Sequence, residues 1–259
     1  MTILEKITAY KRKEVEAKKE AFPLSIIESL PYYERDCISM AHSIRNSNTG
    51  IIAEHKRRSP SKSVINDKVL LPEVVKGYEN AGVSAISILT DTKFFGGSLE
   101  DLVLARHSVS IPLLRKEFIV DPYQIHEAKA HGADAILLIA ACLSEEELKS
   151  FSALAKELGL DVLLEVHNEV ELNKSLHPTV DLLGVNNRNL KTFEVSLDTS
   201  KALSEKIPNE FVKVSESGIS SLKAINELRQ YGFQGFLMGE YFMKSDHPGN
   251  KAKEFIDHL

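Results

Sequence analysis

From residue 51 to residue 238 one pattern recurs along the chain. A short apolar run ends in polar residues and is followed by a stretch whose apolar positions repeat at helical spacing. The runs are 51–53, 85–89, 112–114, 135–139, 162–166, 182–185, 211–214 and 235–238. Short, nearly continuous apolar runs suit strands buried on both faces, as in a parallel sheet. The residues at or near their ends are Glu54, Leu89, Lys116, Ile139, Glu165, Asn186, Glu216 and Gly239, spaced 21 to 35 residues apart. A strand, a crossover helix and two loops need about 30 residues. Helix signals fill the intervals. Ser144 precedes Glu145, Glu146 and Glu147, as an N-cap before an acidic first turn. Pro72 suits the first turn of a helix running to Ala81, with Gly82 past its end, and Gly132, Gly159 and Gly232 follow further expected helices.

Eight βα units without a composition break predict an α/β protein, a single (β/α)8 TIM barrel over 49–259. The length of 259 residues agrees with the roughly 250 typical of that fold. An open doubly wound sheet is the alternative, with fewer strands and a glycine-rich first turn, and the chain has no GxGxxG. Before the barrel, Ile3, Leu4, Ile7 and Tyr10 recur at helical spacing, and 21–48 is mixed, with Pro23 and Pro31 as breakers. Residues 1–48 therefore read as an N-terminal helical extension.

Charge and composition narrow the partners. A formal net charge of −5 argues against nucleic acid as a partner. It leaves room for an anionic small molecule, because local positive charge can collect in a cleft. No apolar run approaches the ~20 residues of a membrane span, and the charged N-terminus lacks the apolar core of a signal peptide. Two cysteines, Cys37 and Cys142, without a CxxC spacing point to neither a metal site nor a disulfide framework, and favour a cytoplasmic address.

In barrels of this kind chemistry sits at the C-terminal ends of the strands. There the chain places Glu54 to Ser61, Arg115 to Phe118, Glu165 to His167, and Asn186 to Asn189. A charge after a strand is ordinarily a solvated loop residue. Glu54 and Lys56, however, are two apart and share one side of an extended strand. Glu165 lies inside an apolar run, where a carboxylate is costly unless paired or functional. The seventh and eighth runs end in Ser215, Glu216, Ser217, Gly218 and in Met238, Gly239, Glu240. Small residues after these two strands fit the usual phosphate cradle of the fold, built from backbone N–H groups. The Glu240 carboxylate is expected to point away from such a phosphate.

Eight segments carry a resemblance to a known family. They are IAEHKRRSPS at 52–61, SILTD at 87–91, FFGGS at 94–98, LRKEF at 114–118, GADAILLI at 132–139, LEVH at 164–167, NNRNL at 186–190 and SESGI at 215–219. In this order on successive strands they resemble the indole-3-glycerol-phosphate synthases. The resemblance implies a phosphorylated small-molecule substrate, 1-(2-carboxyphenylamino)-1-deoxyribulose 5-phosphate. It implies ring closure, loss of CO2 and loss of water on the tryptophan pathway, with no cofactor and no metal. It implies that the N-terminal extension caps the barrel mouth. By position, Lys116 matches the general acid and Glu165 the general base. Glu54 assists proton transfer during dehydration, and Lys56, helped by Ser59, holds the anthranilate carboxylate. Asn186 and Arg188 orient these groups. Phe94 or Phe95 and Leu138 pack against the aromatic ring, while Ser217, Gly218, Gly239 and Glu240 offer backbone donors to phosphate. A monomer is expected, with contacts to other enzymes of the pathway left open.

A lysine that donates and recovers a proton is expected to have a lowered pKa, through burial and a nearby cation such as Lys56. Two departures from the family pattern stand out. Glu117 replaces an aspartate, and Ser63 replaces a glycine, a mild penalty if its φ is positive. Two rivals exist. A phosphoribosylanthranilate isomerase would need a cysteine and an aspartate as its acid–base pair, but neither cysteine lies at the first or sixth strand end. A non-catalytic phosphometabolite-binding barrel would be favoured by loss of Lys56, Lys116, Glu54 or Glu165, and all four are present.

Overall fold

The eight apolar runs form eight parallel strands that close into one barrel, in sequence order, in a computed structural model that describes residues 2–190 and 192–259. The strands are β1 (Ile51–His55), β2 (Ala85–Leu89), β3 (Leu113–Lys116), β4 (Ala135–Ile139), β5 (Asp161–Val166), β6 (Leu182–Asn186), β7 (Val212–Glu216) and β8 (Gly235–Met238). The helices are α1 (Ile3–Ala21), α2 (Leu24–Glu28), α3 (Met40–Arg45), α4 (Leu71–Ala81), α5 (Thr92–Phe95), α6 (Leu99–Ser108), α7 (Tyr123–Ala130), α8 (Glu145–Glu157), α9 (Glu169–Asn173), α10 (Asp198–Ser204), α11 (Leu222–Gln230), α12 (Glu240–Met243) and α13 (Pro248–Ile256). At least one helix follows every strand, which is the TIM-barrel architecture.

The strands run further than their apolar stretches. β1, β3, β6 and β7 extend to His55, Lys116, Asn186 and Glu216. Polar side chains are tolerated there because alternate positions face the barrel interior, which widens into a cavity at this end. Outward-facing positions, such as Ala53, Ile86, Leu138 and Val185, pack under the helices in the larger core. Inward-facing positions, among them Ile52, Leu114, Leu137, Leu163, Leu182 and Val214, fill the barrel with apolar side chains.

Local signals account for the connections. Ser144 closes a capping box with Glu147 at the start of α8. Pro72 sits in the first turn of α4, and Gly82 takes a left-handed φ of 84° just past it. Among the described residues only Phe193 and Ser217 are non-glycine residues with positive φ. Ser63 therefore replaces the family's glycine without backbone strain.

The segment before β1 touches both ends of the barrel. Met40, Ala41 and Ile44 of α3 join the inner apolar core. Ser39 Oγ and the Ala41 N–H both donate to Asp161 at the foot of β5, at 2.8 and 2.9 Å. α1 lies across the opposite rim. Its Lys11 is buried and pairs with Asp91 at 3.0 Å and with Glu117 at 3.2 Å. Glu117 also accepts from Thr90 Oγ1 at 2.9 Å and from the Phe118 N–H at 2.8 Å, so the replacement carboxylate is fully engaged beneath α1. Among the described residues no helix is long and apolar enough to cross a membrane.

Candidate active site

The strand ends converge on a cavity of about 430 Å³ at the C-terminal mouth. Glu54, Leu89, Lys116, Ile139, Glu165, Asn186, Glu216 and Gly239, one from each strand end in turn, all line it. Lys56 and Ser59 of the loop after β1, Arg188 of the loop after β6, and Ser217, Gly218 and Glu240 complete the polar wall. Phe95, Leu137 and Ile139 supply apolar surface, and Ile3, Leu4 and Ile7 of α1 close one side.

Two expected residues lie elsewhere. Leu138 is fully buried on the outer face of β4, among the helices, while its neighbours Leu137 and Ile139 reach the cavity. The period of two along a strand fixes this: Leu138 and the cavity-facing Leu137 cannot share a side. Phe94 turns to α1, edge-on to Tyr10 at 5.9 Å, and leaves the cavity wall to Phe95, whose ring lies 5.8 Å from that of Phe118.

The cavity floor is a network of opposite charges. Lys116 Nζ lies 3.4 Å from Glu165 Oε2 and 3.4 Å from Glu216 Oε2. Lys56 Nζ donates to Glu54 Oε1 at 2.6 Å, and Ser87 Oγ donates to Glu54 Oε2 at 3.3 Å. Room for two of these carboxylates comes from missing side chains on neighbouring strands. A Cβ at Gly184 would lie 2.3 Å from Glu216 Oε1, and one at Gly239 would lie 2.7 Å from Glu54 Oε1. Asn186 Oδ1 accepts from the Arg188 N–H at 3.0 Å, which ties the loop after β6 to the strand end.

Titration follows from this packing. Burial alone would lower the Lys116 pKa, but Glu216, Glu165 and Glu54 outweigh it and hold the ammonium above the ordinary lysine value. That reverses the expectation of a lowered pKa. The neighbouring cation, Lys56, is itself neutralised by Glu54, while three carboxylates surround Lys116. Burial raises Glu54 and Glu165, yet the lysines prevail and both stay below the usual carboxylate range. Glu216 goes the other way: burial first, then repulsion from Glu165 and Glu54, push it up to about 7 despite Lys116. Three carboxylates facing two ammoniums leave an excess of negative charge, and Glu216 is the carboxyl on which protonation relieves it.

Glu216 was not among the residues singled out for chemistry in the sequence. The signal was present, because Val212, Val214 and Glu216 alternate on one side of β7 and the last of them reaches the mouth. At the rim, Glu240 binds Lys62 at 2.5 Å and Lys244 at 2.8 Å. Against the effect of partial burial, these lysines lower its pKa to about 2. Gly239 and Glu240 begin α12, and Ser217 and Gly218 form a left-handed turn with φ of 68° and 79°.

A closed βα barrel with a charged cavity at the C-terminal strand ends defines the class: this is a (β/α)8-barrel protein with an enzyme's site geometry. Solved structures agree on the fold. 3-Hexulose-6-phosphate synthase from Salmonella typhimurium matches with a TM-score of 0.63 at 15% identity, over 81% of this chain and 97% of that one. A chain of the tryptophan synthase complex from Pyrococcus furiosus matches at 0.60 and 16%, with coverage of 81% and 97%. The sequence is more specific. The family model for indole-3-glycerol phosphate synthase matches residues 4–255. Proteins of that name from Bacteroides thetaiotaomicron and Neisseria meningitidis serogroup B are each 46% identical to this chain. The first alignment covers 98% of this chain and 97% of the relative, the second 94% and 95%. The corresponding protein from Caldanaerobacter subterraneus is 43% identical, over 98% and 97%. The chain belongs to the indole-3-glycerol phosphate synthase family.

Proposed function

We propose that this protein is a carbon–carbon lyase that converts 1-(2-carboxyphenylamino)-1-deoxyribulose 5-phosphate to indole-3-glycerol phosphate, CO2 and water in tryptophan biosynthesis. The aromatic carbon that bears the carboxylate attacks the sugar carbonyl. Lys116 protonates the oxygen as it becomes an alkoxide, a base strong enough to take a tightly held proton. Loss of CO2 restores the ring. Removal of the hydroxyl as water, with a proton taken from the adjoining carbon by Glu165, completes the pyrrole. Lys56 and Ser59 hold the carboxylate before it leaves, Glu54 assists the dehydration, and Arg188 and Asn186 orient the reacting groups. Phe95, Leu137 and Ile139 receive the aromatic ring. Backbone N–H groups at 217–218 and 239–240 receive the phosphate, with Lys62 and Lys244 nearby as positive charge. Because the carboxylate is lost as CO2, each turnover consumes one proton.

The observation that carries this reading is the Lys116 ammonium held between the buried carboxylates of Glu165 and Glu216 on the cavity floor. Such a preformed array acts on developing charge without reorganising. Two helices before β1 support it: α1 walls one side of the cavity and α3 packs into the inner core. Two free thiols, Cys37 and Cys142, suit a reducing cytoplasm.

The chain contains no tryptophan, so fluorescence of an indole product rises on a dark background. Turnover of the anilino-sugar phosphate by the purified protein is the expected result. Lys116→Ala is expected to abolish it while a cooperative melting transition survives, at a lower temperature because buried carboxylates lose their cation. Undiminished turnover in that variant would remove Lys116 from the mechanism.

A further inference from the structure

Behind Glu165, away from Lys116, lies an imidazole that the reaction as written does not use. His167 follows β5 and is nearly buried. Its Nδ1 is 3.0 Å from Glu171 Oε2, an oxygen that also accepts from the His167 N–H at 2.8 Å. Glu171 is fixed in turn by Asn168 Nδ2 at 2.8 Å and by its place in α9. Burial raises the Glu171 pKa, but His167 and Asn168 overcome this and keep it ionised. Nδ1 must then carry a proton, because an ionised carboxylate only accepts.

The other ring nitrogen is the informative one. His167 Nε2 is buried, has no hydrogen-bond partner among the described residues, and faces Glu165 Oε1 at 3.4 Å. A neutral imidazole with its proton on Nδ1 would aim a lone pair at a carboxylate. Two acceptors so placed repel each other unless one proton lies between them, on Nε2 or on Oε1. We propose that His167, held by Glu171, is a positioning residue that shares a single proton with Glu165 and so fixes the orientation and the protonation state of the base.

The transfer is balanced. The Nε2–H bond breaks as an Oε1–H bond forms, the imidazolium becomes neutral, and the carboxylate becomes a carboxylic acid. Nδ1–H stays with Glu171 throughout. With the proton on Nε2, the Glu165 carboxylate is free to take the carbon proton during dehydration, and this part rests on the reaction proposed above. The charged groups around His167 favour the shared proton. Glu165 faces it from β5, Glu171 from α9 and Glu216 from β7. Cys142, in the turn after β4, feels the charges of Glu165, Glu171, Lys174 and Arg12, and Lys116 lies at the far oxygen of Glu165. Burial disfavours the imidazolium, yet the carboxylates prevail and hold His167 above the ordinary histidine value.

Imidazole nitrogen NMR of the full chain tests this directly, with His167→Gln identifying the resonance among nine histidines. We expect His167 to titrate above about 6.5, with Nδ1 protonated on both sides of the transition. Glu171→Gln and Glu165→Gln should each lower the midpoint by about one pH unit, tenfold in proton affinity. A midpoint at or below 6.5 that neither variant moves would overturn the proposal. In turnover, His167→Gln should lower kcat by about tenfold or more with KM little changed, and should erase the alkaline fall in kcat that loss of the shared proton produces. A variant profile with that fall unchanged counts against the proposal. Absence of turnover in the parent protein would overturn the reaction instead, while the nitrogen titration still decides the shared proton.

Discussion

Glu216→Gln removes a buried carboxyl that the site holds partly protonated. Burial and the Glu165 and Glu54 carboxylates raise its pKa from 4.5 to about 7, against the pull of Lys116. Between these values the folded protein keeps a proton that the unfolded chain has released. Folding therefore binds a proton in this window, and stability falls as pH rises through it. Glu216 is 1% exposed, so solvent screening does not dilute the effect. The interval from 4.5 to about 7 corresponds to about 3 kcal/mol. Glutamine is neutral throughout and escapes this loss. The stability of the variant relative to the parent should thus increase by about 3 kcal/mol between pH 4.5 and about pH 8. Thermal melts of both proteins at the two pH values measure it. At about 2–4 °C per kcal/mol for a chain of this size, the double difference is about 6–12 °C. A difference between variant and parent that is the same at both pH values would refute the reasoning. Turnover should move in the opposite direction, because Lys116 loses one of the two carboxylates that hold it.

Further outcomes follow from the register of β4 and from the pairing under α1. Leu137→Ala should raise KM for the aromatic substrate. Leu138→Ala should leave KM in place and cost about 2–5 kcal/mol of stability, because it opens a hole among the helices; steady-state kinetics beside denaturant unfolding separate the two, and the reverse assignment would contradict the described geometry. Lys11→Met strips the ammonium from buried Asp91 and Glu117 and should destabilise by about 3–5 kcal/mol. Denaturant unfolding measures that loss, and an unchanged stability in the variant would mean the two ion pairs do not hold α1 on the rim.

Much of this was legible in the chain. The repeat of apolar runs and helix caps predicts the barrel, because strand and helix periods are local properties. The eight run-end residues all reach the cavity, because a rule of position applies to every βα unit alike. What the local pattern left open depended on neighbours. Leu138 and Leu137 look equivalent in an all-apolar run, and only the closed sheet decides which faces inward. Phe94 and Phe95 differ by the position of α1, which no local pattern gives. The raised pKa of Lys116 required knowing that three carboxylates, from β1, β5 and β7, meet around it. Glu216 could have been found by alternation along β7, but the small residues after it drew the reading toward phosphate. Ser63 was harmless for a reason invisible in sequence, since its backbone is not left-handed.

The apolar face of α3 enters the foot of a barrel whose walls include β7. On a ribosome, Met40 and Ile44 emerge well before Val212 and Val214 exist to receive them. Until synthesis reaches the last strands this stretch has no finished socket, so docking of α3 belongs to the end of folding. The segment made early is thereby placed to register whether the cylinder has closed, and a nascent chain truncated before β7 should leave it open to proteases.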